Sequence, residues 1–367
     1  MGVLRLFLAL SVVNAHGGNL LGFQLVDPTM AVQTFYMISG FYMALVLHEK
    51  YQPKNSTYFE FISNRFLRIF PGYFVVLLLT IALLIAAGWY YGKSMGPFML
   101  WAQNWAQLDW SARFFLVLSH LALFGQDVYP FLGLDGQGGL YFDPNFRANH
   151  NELWRIMLVP QAWSLSLELC FYLLAPFLVR RSAAMLVLMI AASLALRVVL
   201  ALWLGWKDDP WAYRFFPSEL ALFLCGAAAY RVYRAVRMGK MDAQIWFGWG
   251  ALGVAASTAL LVSRYPGGGV IWLNIAFVVT VLLVLPFLFK LTHKSKIDNY
   301  IGELSYPMYL CHMLVIWLFT FMNNPHDFGR SAGILSVTLL LSLMLYWGVD
   351  RKVDNFRHRK FIAAHAR

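Results

Sequence analysis

Ten apolar segments, each long enough to cross a lipid bilayer, constrain this 367-residue chain more than any other feature of its sequence. A transmembrane helix needs about 20 predominantly apolar residues. Only 13% of the residues are charged, against roughly 25% in soluble domains. The sequence therefore predicts an all-α polytopic membrane protein of about ten helices, at approximately 4–22, 29–48, 72–90, 163–179, 183–204, 214–233, 244–262, 270–289, 304–322 and 331–349, with a weaker segment near 112–126.

The basic residues are distributed unevenly between the two sides of this arrangement. The net charge is +11, which in a soluble protein would suggest nucleic acid, but here position matters more than the total. With a cytoplasmic N-terminus, most Lys and Arg fall on the cytoplasmic side, including Lys50, Lys54, Arg65, Arg68, Arg180, Arg181, Arg231, Arg234, Arg237, Lys240, Lys290, Lys294, Lys296 and those after residue 350. This positive-inside pattern predicts that both termini are cytoplasmic, that segment 112–126 is re-entrant or interfacial, and that no nucleic acid is bound.

The connections between segments suggest one membrane domain over 1–350 followed by a basic cytoplasmic tail over 351–367. Residues 49–71 are rich in aromatic and basic side chains, and we interpret them as an amphipathic link at the membrane interface with its arginines towards water. The largest external region, 91–162, mixes carboxylates with aromatic residues, which suits a sugar acceptor. Cys170, Cys225 and Cys311 all fall in predicted helices, so neither a disulfide framework nor a metal site is expected.

The first segment carries two ionisable side chains, Arg5 and His16, in a stretch that is otherwise apolar. Charged groups at membrane depth are functional candidates because the bilayer penalises them. Helical rise separates the two by about 16 Å along the axis. Arg5 could instead reach the interface as an ordinary helix-end anchor.

Three motifs occur in order along the chain: Arg5 and His16 in the first segment, Arg65-x-x-Arg68 in the following link, and Trp163-Ser164-Leu165-x-x-Glu168 at the start of a later helix. Together they resemble those of the acyltransferase family 3 membrane proteins, which O-acylate cell-surface glycans and some small molecules. The resemblance implies an enzyme that takes an acyl group, usually acetyl, from acyl-coenzyme A in the cytoplasm and delivers it to a hydroxyl group across the membrane. It also favours a bacterial inner membrane.

The resemblance makes His16 the essential histidine and Arg5 its partner. An imidazole can take a proton from an attacking hydroxyl and return it to a leaving thiolate, so His16 is the candidate base or acyl relay. Glu168 is the best placed carboxylate to orient that base, as the third group does in nucleophilic triads. Alternatively, His16 is a buried structural histidine, and Glu168 forms an ion pair with Arg197 or Arg214.

Coenzyme A carries several phosphate charges, and arginine binds phosphate well through its bidentate fork. Arg65 and Arg68 lie one helical turn apart and are predicted to grip these phosphates together. Their alternative role is to anchor the link to anionic lipid headgroups.

Other polar residues extend the candidate site. Tyr306, Tyr309 and His312 share one helical face and could line an internal cavity, with the two tyrosines near the cofactor and His312 near the acceptor. Trp163 and Ser164 are acceptor-binding candidates, although Trp163 also suits an interfacial belt and Ser164 a helix N-cap. Ser39 and Gly40 are interpreted as small residues at a helix crossing.

A proton-coupled secondary transporter is the main alternative, since ten helices with buried arginines and membrane histidines also suit a carrier. The concentration of polar groups in the first half of the chain and the lack of an inverted repeat count against it. Binding of coenzyme A would distinguish the acyltransferase, which must bind it, from the transporter, which has no reason to.

Overall fold

The computed structural model describes residues 1–19, 25–51, 57–147, 153–238, 271–322 and 328–362. Helix makes up 79% of the structure, which confirms the predicted all-α class. The helices are α1 (Gly2–Gly17), α2 (Pro28–Glu49), α3 (Tyr58–Tyr91), α4 (Pro97–Asn104), α5 (Trp110–Ala122), α6 (Ala162–Leu178), α7 (Ala183–Trp203), α8 (Phe216–Arg237), α9 (Ile271–Thr292), α10 (Lys296–Glu303), α11 (Ser305–Phe321), α12 (Phe328–Leu345) and α13 (Arg351–Arg357).

Six helical stretches of the described residues are long and apolar enough to cross a membrane: Pro28–Glu49, Tyr58–Tyr91, Ala183–Trp203, Ile275–Thr292, Lys296–Phe321 and Gly329–Lys360. Gly2–Gly17 and Ala162–Leu178 are shorter apolar helices. These stretches identify an integral membrane protein. The count of ten spans and the cytoplasmic termini stay predictions, and the predicted segment 244–262 lies outside the described residues.

Local sequence signals set several of the helix starts. The carboxylate of Asp27 accepts hydrogen bonds from the backbone N–H groups of Thr29 (2.8 Å) and Met30 (3.4 Å) at the start of α2. Thr57 and Glu60 form a reciprocal capping box at the start of α3. Such side chains satisfy backbone donors that have no partner within the helix.

Most of the predicted link over 49–71 belongs to helix α3, and the prediction that its arginines face water is wrong for Arg65. Helix α3 begins at Tyr58 and continues through Pro71 to Tyr91 without interruption. Arg65 is buried rather than turned towards water. Helix α3 also buries the polar residues Asn64 and Thr80. The mixture of aromatic and basic residues therefore reflects packing against other helices rather than an interfacial position.

The described residues of the region predicted to be external, 91–162, form short elements. Helix α5 has 13 residues, which span about 20 Å and cannot cross a hydrocarbon core of about 30 Å. The strands β1 (Leu132–Leu134) and β2 (Leu140–Phe142) pair antiparallel, with Gly133 opposite Tyr141, and 3-10 turns occupy Gln126–Phe131 and Leu153–Ile156.

Two carboxylates of this region, Asp109 and Asp135, serve local structure. Asp109 caps α5 through the Ala112 N–H (2.6 Å), and Asp135 accepts the Gln137 and Gly139 N–H groups in the hairpin turn. The predicted acceptor surface around them stays a prediction, and part of it, including residues 148–152, lies outside the described residues.

Close backbone contact joins α2 to α8, which confirms the interpretation of Gly40 as a helix-crossing residue. A Cβ atom on Gly40 would lie 1.8 Å from the carbonyl oxygen of Phe223, and one on Gly226 would lie 1.9 Å from that of Met37. Only glycine permits this separation, because a Cβ atom at either position would overlap a carbonyl oxygen of the other helix. Small residues of this kind allow membrane helices to pack closely.

Helix α1 is fixed at its beginning by α10. The Asp298 carboxylate accepts hydrogen bonds from the backbone N–H groups of Gly2 (2.7 Å) and Val3 (3.0 Å). A Cβ atom on Gly2 would lie 1.6 Å from the Asp298 carbonyl oxygen. This contact sets the position of Arg5, one turn further along α1.

Candidate functional site

A cavity of about 480 Å³ lies between α1, α2, α3, α6, α9, α10, α11 and the segment after α12. Such a volume is typical of small-molecule and cofactor sites. The described residues that line it include five Arg or Lys side chains, Arg5, Lys50, Arg65, Arg68 and Arg357, against three carboxylates, Glu168, Glu303 and Asp354. With neutral histidines the lining therefore carries a net charge of +2 and suits an anion.

The cations and the hydroxyl groups of the cavity come from different parts of the helices. Lys50 follows the end of α2, whereas Ser39 lies eleven residues earlier in the same helix, so the two are about 16 Å apart along the axis. Ser164, Glu168 and Tyr309 join Ser39 in the lining. The cavity is thus elongated, with a cationic end and a hydroxyl-rich end.

Arg65 is a buried cation that forms no ion pair or Nε hydrogen bond with any described residue. Its side chain is 8% exposed, its Nε atom has no hydrogen-bond partner, and its guanidinium carbon lies 5.9 Å from the Phe61 ring centroid. An isolated buried charge is costly unless a counter-charge is supplied. Within the described residues no carboxylate lies within ion-pair distance of Arg65, although Glu168 lines the same cavity, so the cavity surface at Arg65 can accept an anionic group.

Arg68 differs from Arg65 in having its counter-charges in place. Its guanidinium group lies 2.9 Å from the Glu303 carboxylate and 3.9 Å from that of Asp354. The prediction that Arg65 and Arg68 grip the phosphates of coenzyme A together stays a prediction, and the structure adds that, of the two, only Arg68 has carboxylate partners among the described residues.

Lys50 shows how closely the cations are grouped. Desolvation lowers the pKa of Lys50 below its usual value, and the nearby charges of Arg65 and Arg357 lower it further. Like charges held together in this way favour binding of an anion.

Arg5 reaches the cavity from α1. Its guanidinium carbon lies 5.9 Å from the ring centroid of Tyr42, and the described residues place no carboxylate within ion-pair distance of it. The absence of a side chain on Gly302 leaves room for the start of α1, since a Cβ atom there would lie 2.7 Å from the Gly2 Cα atom. Arg5 does not contact His16, so the structure separates these two predicted partners.

Glu168 lies in the cavity rather than beside His16. Its Oε1 atom accepts hydrogen bonds from the Ser39 hydroxyl (2.7 Å) and the Tyr172 hydroxyl (2.6 Å). The expectation that Glu168 orients His16 is therefore not met.

The alternative ion pairs for Glu168 are also wrong, because both arginines have other carboxylates. Arg197 pairs with Glu219 at 2.7 Å and Arg214 with Asp209 at 2.8 Å.

Ser164 and Tyr309 close the hydroxyl-rich end of the cavity. Their hydroxyl oxygens are 2.7 Å apart and lie 3.0 and 3.2 Å from the Gln161 carbonyl oxygen, so one hydroxyl donates to the other and the second donates to this carbonyl. Ser164 is not an N-cap, since α6 begins at Ala162 with Gln161 as its cap residue.

Trp163 and Tyr306 lie beside this end with partners of their own. Trp163 is buried, not part of an exposed belt, and Arg214 stacks on its ring with 4.2 Å from guanidinium carbon to centroid. Tyr306 lines the cavity and donates its hydroxyl to the Ile69 carbonyl oxygen of α3 at 2.6 Å. It thereby connects α11 to the helix that carries Arg65 and Arg68.

His16 and His312 form a pair beyond the Tyr309 layer. His312 is fully buried, whereas His16 is exposed. His16 Nδ1 lies 3.2 Å from His312 Nε2. The two rings are stacked, within 11° of parallel and with centroids 5.2 Å apart. Neither histidine is among the described residues that line the cavity.

The surrounding hydrogen bonds assign the protons of this pair when both rings are neutral. His312 Nδ1 lies 2.6 Å from the Tyr309 carbonyl oxygen, which can only accept, so Nδ1 carries the hydrogen. His312 Nε2 is then the acceptor, and His16 Nδ1 donates to it. His16 Nε2 is left as the basic nitrogen.

Asn64, Glu303 and Arg357 are among the cavity residues that sequence reasoning missed. Arg357 was grouped with a general basic tail, although Asp354 three residues before it is a signal for a helical pair. Glu303 had no sequence signal beyond its place just before Ser305. Within the described parts of the chain, no group of three or more His, Cys, Asp or Glu is placed to hold a metal ion.

Comparison with known proteins identifies one family. A family model described as an acyltransferase domain, acyltransferase family 3, matches residues 1–349. A protein of Aquifex aeolicus (strain VF5), described as uncharacterized, is 22% identical over 208 residues, which cover 54% of this chain and 90% of that protein. No solved structure matches the chain.

Proposed function

The chain belongs to acyltransferase family 3, and from that premise we propose that it is a membrane O-acyltransferase using acyl-coenzyme A, with acetyl as the acyl group, from the cytoplasm. The acceptor is a hydroxyl group of a glycan or glycolipid across a bacterial inner membrane. Family membership supports acyl transfer in general and does not favour the proton-coupled carrier.

The observation that carries the donor assignment is the cationic cavity with the unpaired Arg65. The phosphates of coenzyme A supply the counter-charge that Arg65 lacks, and guanidinium groups bind phosphate with bidentate geometry. The elongated shape suits a donor whose charged end and thioester end are well separated. In this arrangement the thioester lies near Ser164 and Tyr309.

His16 and His312 support the chemical step. His16 Nε2 removes the proton from the acceptor hydroxyl as its oxygen attacks the thioester carbonyl carbon. The C–S bond breaks, the ester forms, and the proton passes to the departing thiolate to give free coenzyme A. His312 acts as a positioning residue, because its Nε2 holds the His16 ring in the reactive tautomer.

The Tyr309–Ser164 contact separates the cavity from His16, and two routes overcome this separation. In direct transfer the contact opens and the thioester meets His16 and the acceptor together. In a relay, His16 Nε2 first takes the acyl group from the thioester and then passes it to the acceptor hydroxyl. An acyl-histidine trapped in the absence of acceptor distinguishes the relay.

The test uses purified protein in lipid with radiolabelled acetyl-coenzyme A and a candidate glycan acceptor. We compare wild type with His16→Gln, which keeps a donor for His312 but cannot take up a proton. The matched control is His48→Gln, a histidine at the end of α2 that bonds to the Ala44 carbonyl oxygen. We expect His16→Gln to slow transfer by about 10²- to 10⁴-fold with coenzyme A binding retained, and His48→Gln to behave as wild type.

Two results would count against the proposal. If wild type neither binds nor consumes acyl-coenzyme A with any acceptor supplied, the donor assignment fails. If His16→Gln retains full transfer, the catalytic role of His16 fails although the donor assignment stands.

A further inference from the structure

The segment after residue 349 lies beyond the family match but contributes to the cavity. Asp354, Arg357 and His358 are among its lining residues. They belong to α13 and the π-helical turn that follows it. A tail that only carried basic charge into the cytoplasm would have no reason to enter this cavity.

Arg357 is the residue that holds this segment in place. It is 6% exposed, whereas the neighbouring His358, Arg359 and Lys360 are exposed. Its Nε–H donates to the Asn64 Oδ1 atom at 2.6 Å, and Asn64 in turn contacts the Tyr51 hydroxyl. Arg357 therefore packs against α3 at the residue directly before Arg65.

The hydrogen bonds of Arg357 leave part of its guanidinium group available. Nε binds Asn64, and Nη1 binds the Asp354 carboxylate. Its Nη2 atom makes no hydrogen bond to any described residue. Asp354 is shared with Arg68 at 3.9 Å, so one carboxylate is divided between two arginines while Arg65 has none.

The excess positive charge at the cationic end of the cavity thus comes from residues of two helices, α3 and α13. Two arginines with incomplete partners, lining one cavity and connected through Asn64, match a ligand with more than one anionic group. Phosphate groups fit best, because they offer several charged acceptor oxygens to both guanidinium groups at once.

We propose that residues 351–358 form a wall of the donor site and that Arg357, together with Arg65, binds the phosphate groups of acyl-coenzyme A. This rests on the proposed function, since it assigns part of the same donor site. The tail is then a component of the enzyme rather than a separate basic extension, and its removal abolishes donor binding.

The experiment measures equilibrium binding of coenzyme A and of pantetheine, which has the same thiol arm but no phosphate, to purified protein in lipid. The variants are Arg357→Gln and, as the matched control, Arg359→Gln, which removes the same charge from an exposed position outside the cavity. We expect Arg357→Gln to weaken coenzyme A binding about tenfold or more and to leave pantetheine binding unchanged. Arg359→Gln should change neither.

Other patterns would overturn the inference. If Arg357→Gln weakened the binding of coenzyme A and of pantetheine equally, Arg357 would be a packing residue. If Arg357→Gln and Arg359→Gln had equal effects, the contribution of Arg357 would be general charge attraction.

Asp354→Asn provides an independent test should Arg357→Gln fail to fold. It removes a competing carboxylate and should tighten coenzyme A binding, so weaker binding would contradict the proposal.

Failure of this inference is distinguishable from failure of the proposed function. If wild type binds no coenzyme A, the function itself is wrong. If wild type binds it and Arg65→Gln weakens that binding while Arg357→Gln does not, only the role of the C-terminal segment is wrong.

Discussion

Arg65 and Arg68 show how residues of the same type, one helical turn apart, acquire different roles from their neighbours. Arg68 faces Glu303 and Asp354, whereas Arg65 has no ion pair. A paired arginine contributes to stability, and an unpaired buried arginine reduces it unless a ligand is present. Substitutions of Arg65 and Arg68 should therefore have different effects in experiments that measure folding and ligand binding independently.

We predict that Arg68→Gln lowers the free energy of unfolding by about 1–2 kcal/mol, between the values for exposed and buried ion pairs, because Glu303 loses its partner. Arg65→Gln should leave thermal stability unchanged or raise it, and should weaken coenzyme A binding. Thermal unfolding in detergent with and without coenzyme A measures both effects. A larger stability loss for Arg65→Gln than for Arg68→Gln would show that the chain itself pairs Arg65.

His312 provides a second prediction at this scale. His312→Ala should reduce transfer by about 10- to 100-fold, the range for positioning partners of a functional histidine. His312→Gln should recover part of the activity, because its amide oxygen can accept the His16 Nδ1–H bond. Single-turnover rates at saturating donor test this, and equal loss in both variants would make His312 a packing residue.

At the scale of helices, the crossing of α2 and α8 rests on two glycines. The same crossing places Ser39 on the cavity side of α2, where it binds Glu168. Changes at the crossing should therefore affect the site as well as stability.

We predict that Gly40→Ala and Gly226→Ala each destabilise the protein by at least about 2 kcal/mol, since an added Cβ overlaps a carbonyl oxygen and forces the helices apart. The control is Gly88→Ala in α3, where a Cβ atom lies 3.6 Å from its nearest neighbour and helix propensity improves by up to about 1 kcal/mol. Thermal unfolding measures the difference. Comparable stability of Gly40→Ala and Gly88→Ala would mean that α2 and α8 can move apart without a loss of stability.

For the whole molecule, orientation in the membrane decides which side receives the donor. The charge distribution predicts that Arg234 is cytoplasmic and that Lys207 is external. Both side chains are exposed, so each can report its own side.

We predict that Lys207→Cys, in a background without the three native cysteines, reacts with a membrane-impermeant maleimide in intact spheroplasts. Arg234→Cys should react only after lysis. The reverse pattern would place the cationic end of the cavity outside and would remove access to cytoplasmic coenzyme A.

Sequence alone determined the helical class, most helix positions and the residues worth testing. Nine of the ten predicted segments coincide with described helices, because bilayer thickness imposes a length and polarity that each segment carries locally. Capping residues such as Asp27 and Thr57 also act within four residues of a helix start, but the sequence analysis did not use them and placed the start of α3 at residue 72 instead of Tyr58. The family motifs pointed to His16, Arg65 and Glu168 because each motif is a local pattern that can be read from the sequence.

Tertiary structure alone decided the partners of those residues. His312 lies 296 residues from His16 along the chain, and Glu303 lies 235 residues from Arg68. Which helix stands beside which depends on side-chain packing between distant segments, and no local pattern records it. Glu168 therefore binds Ser39 and Tyr172 rather than His16, Arg65 stays unpaired, and Arg357 of the tail joins the cavity.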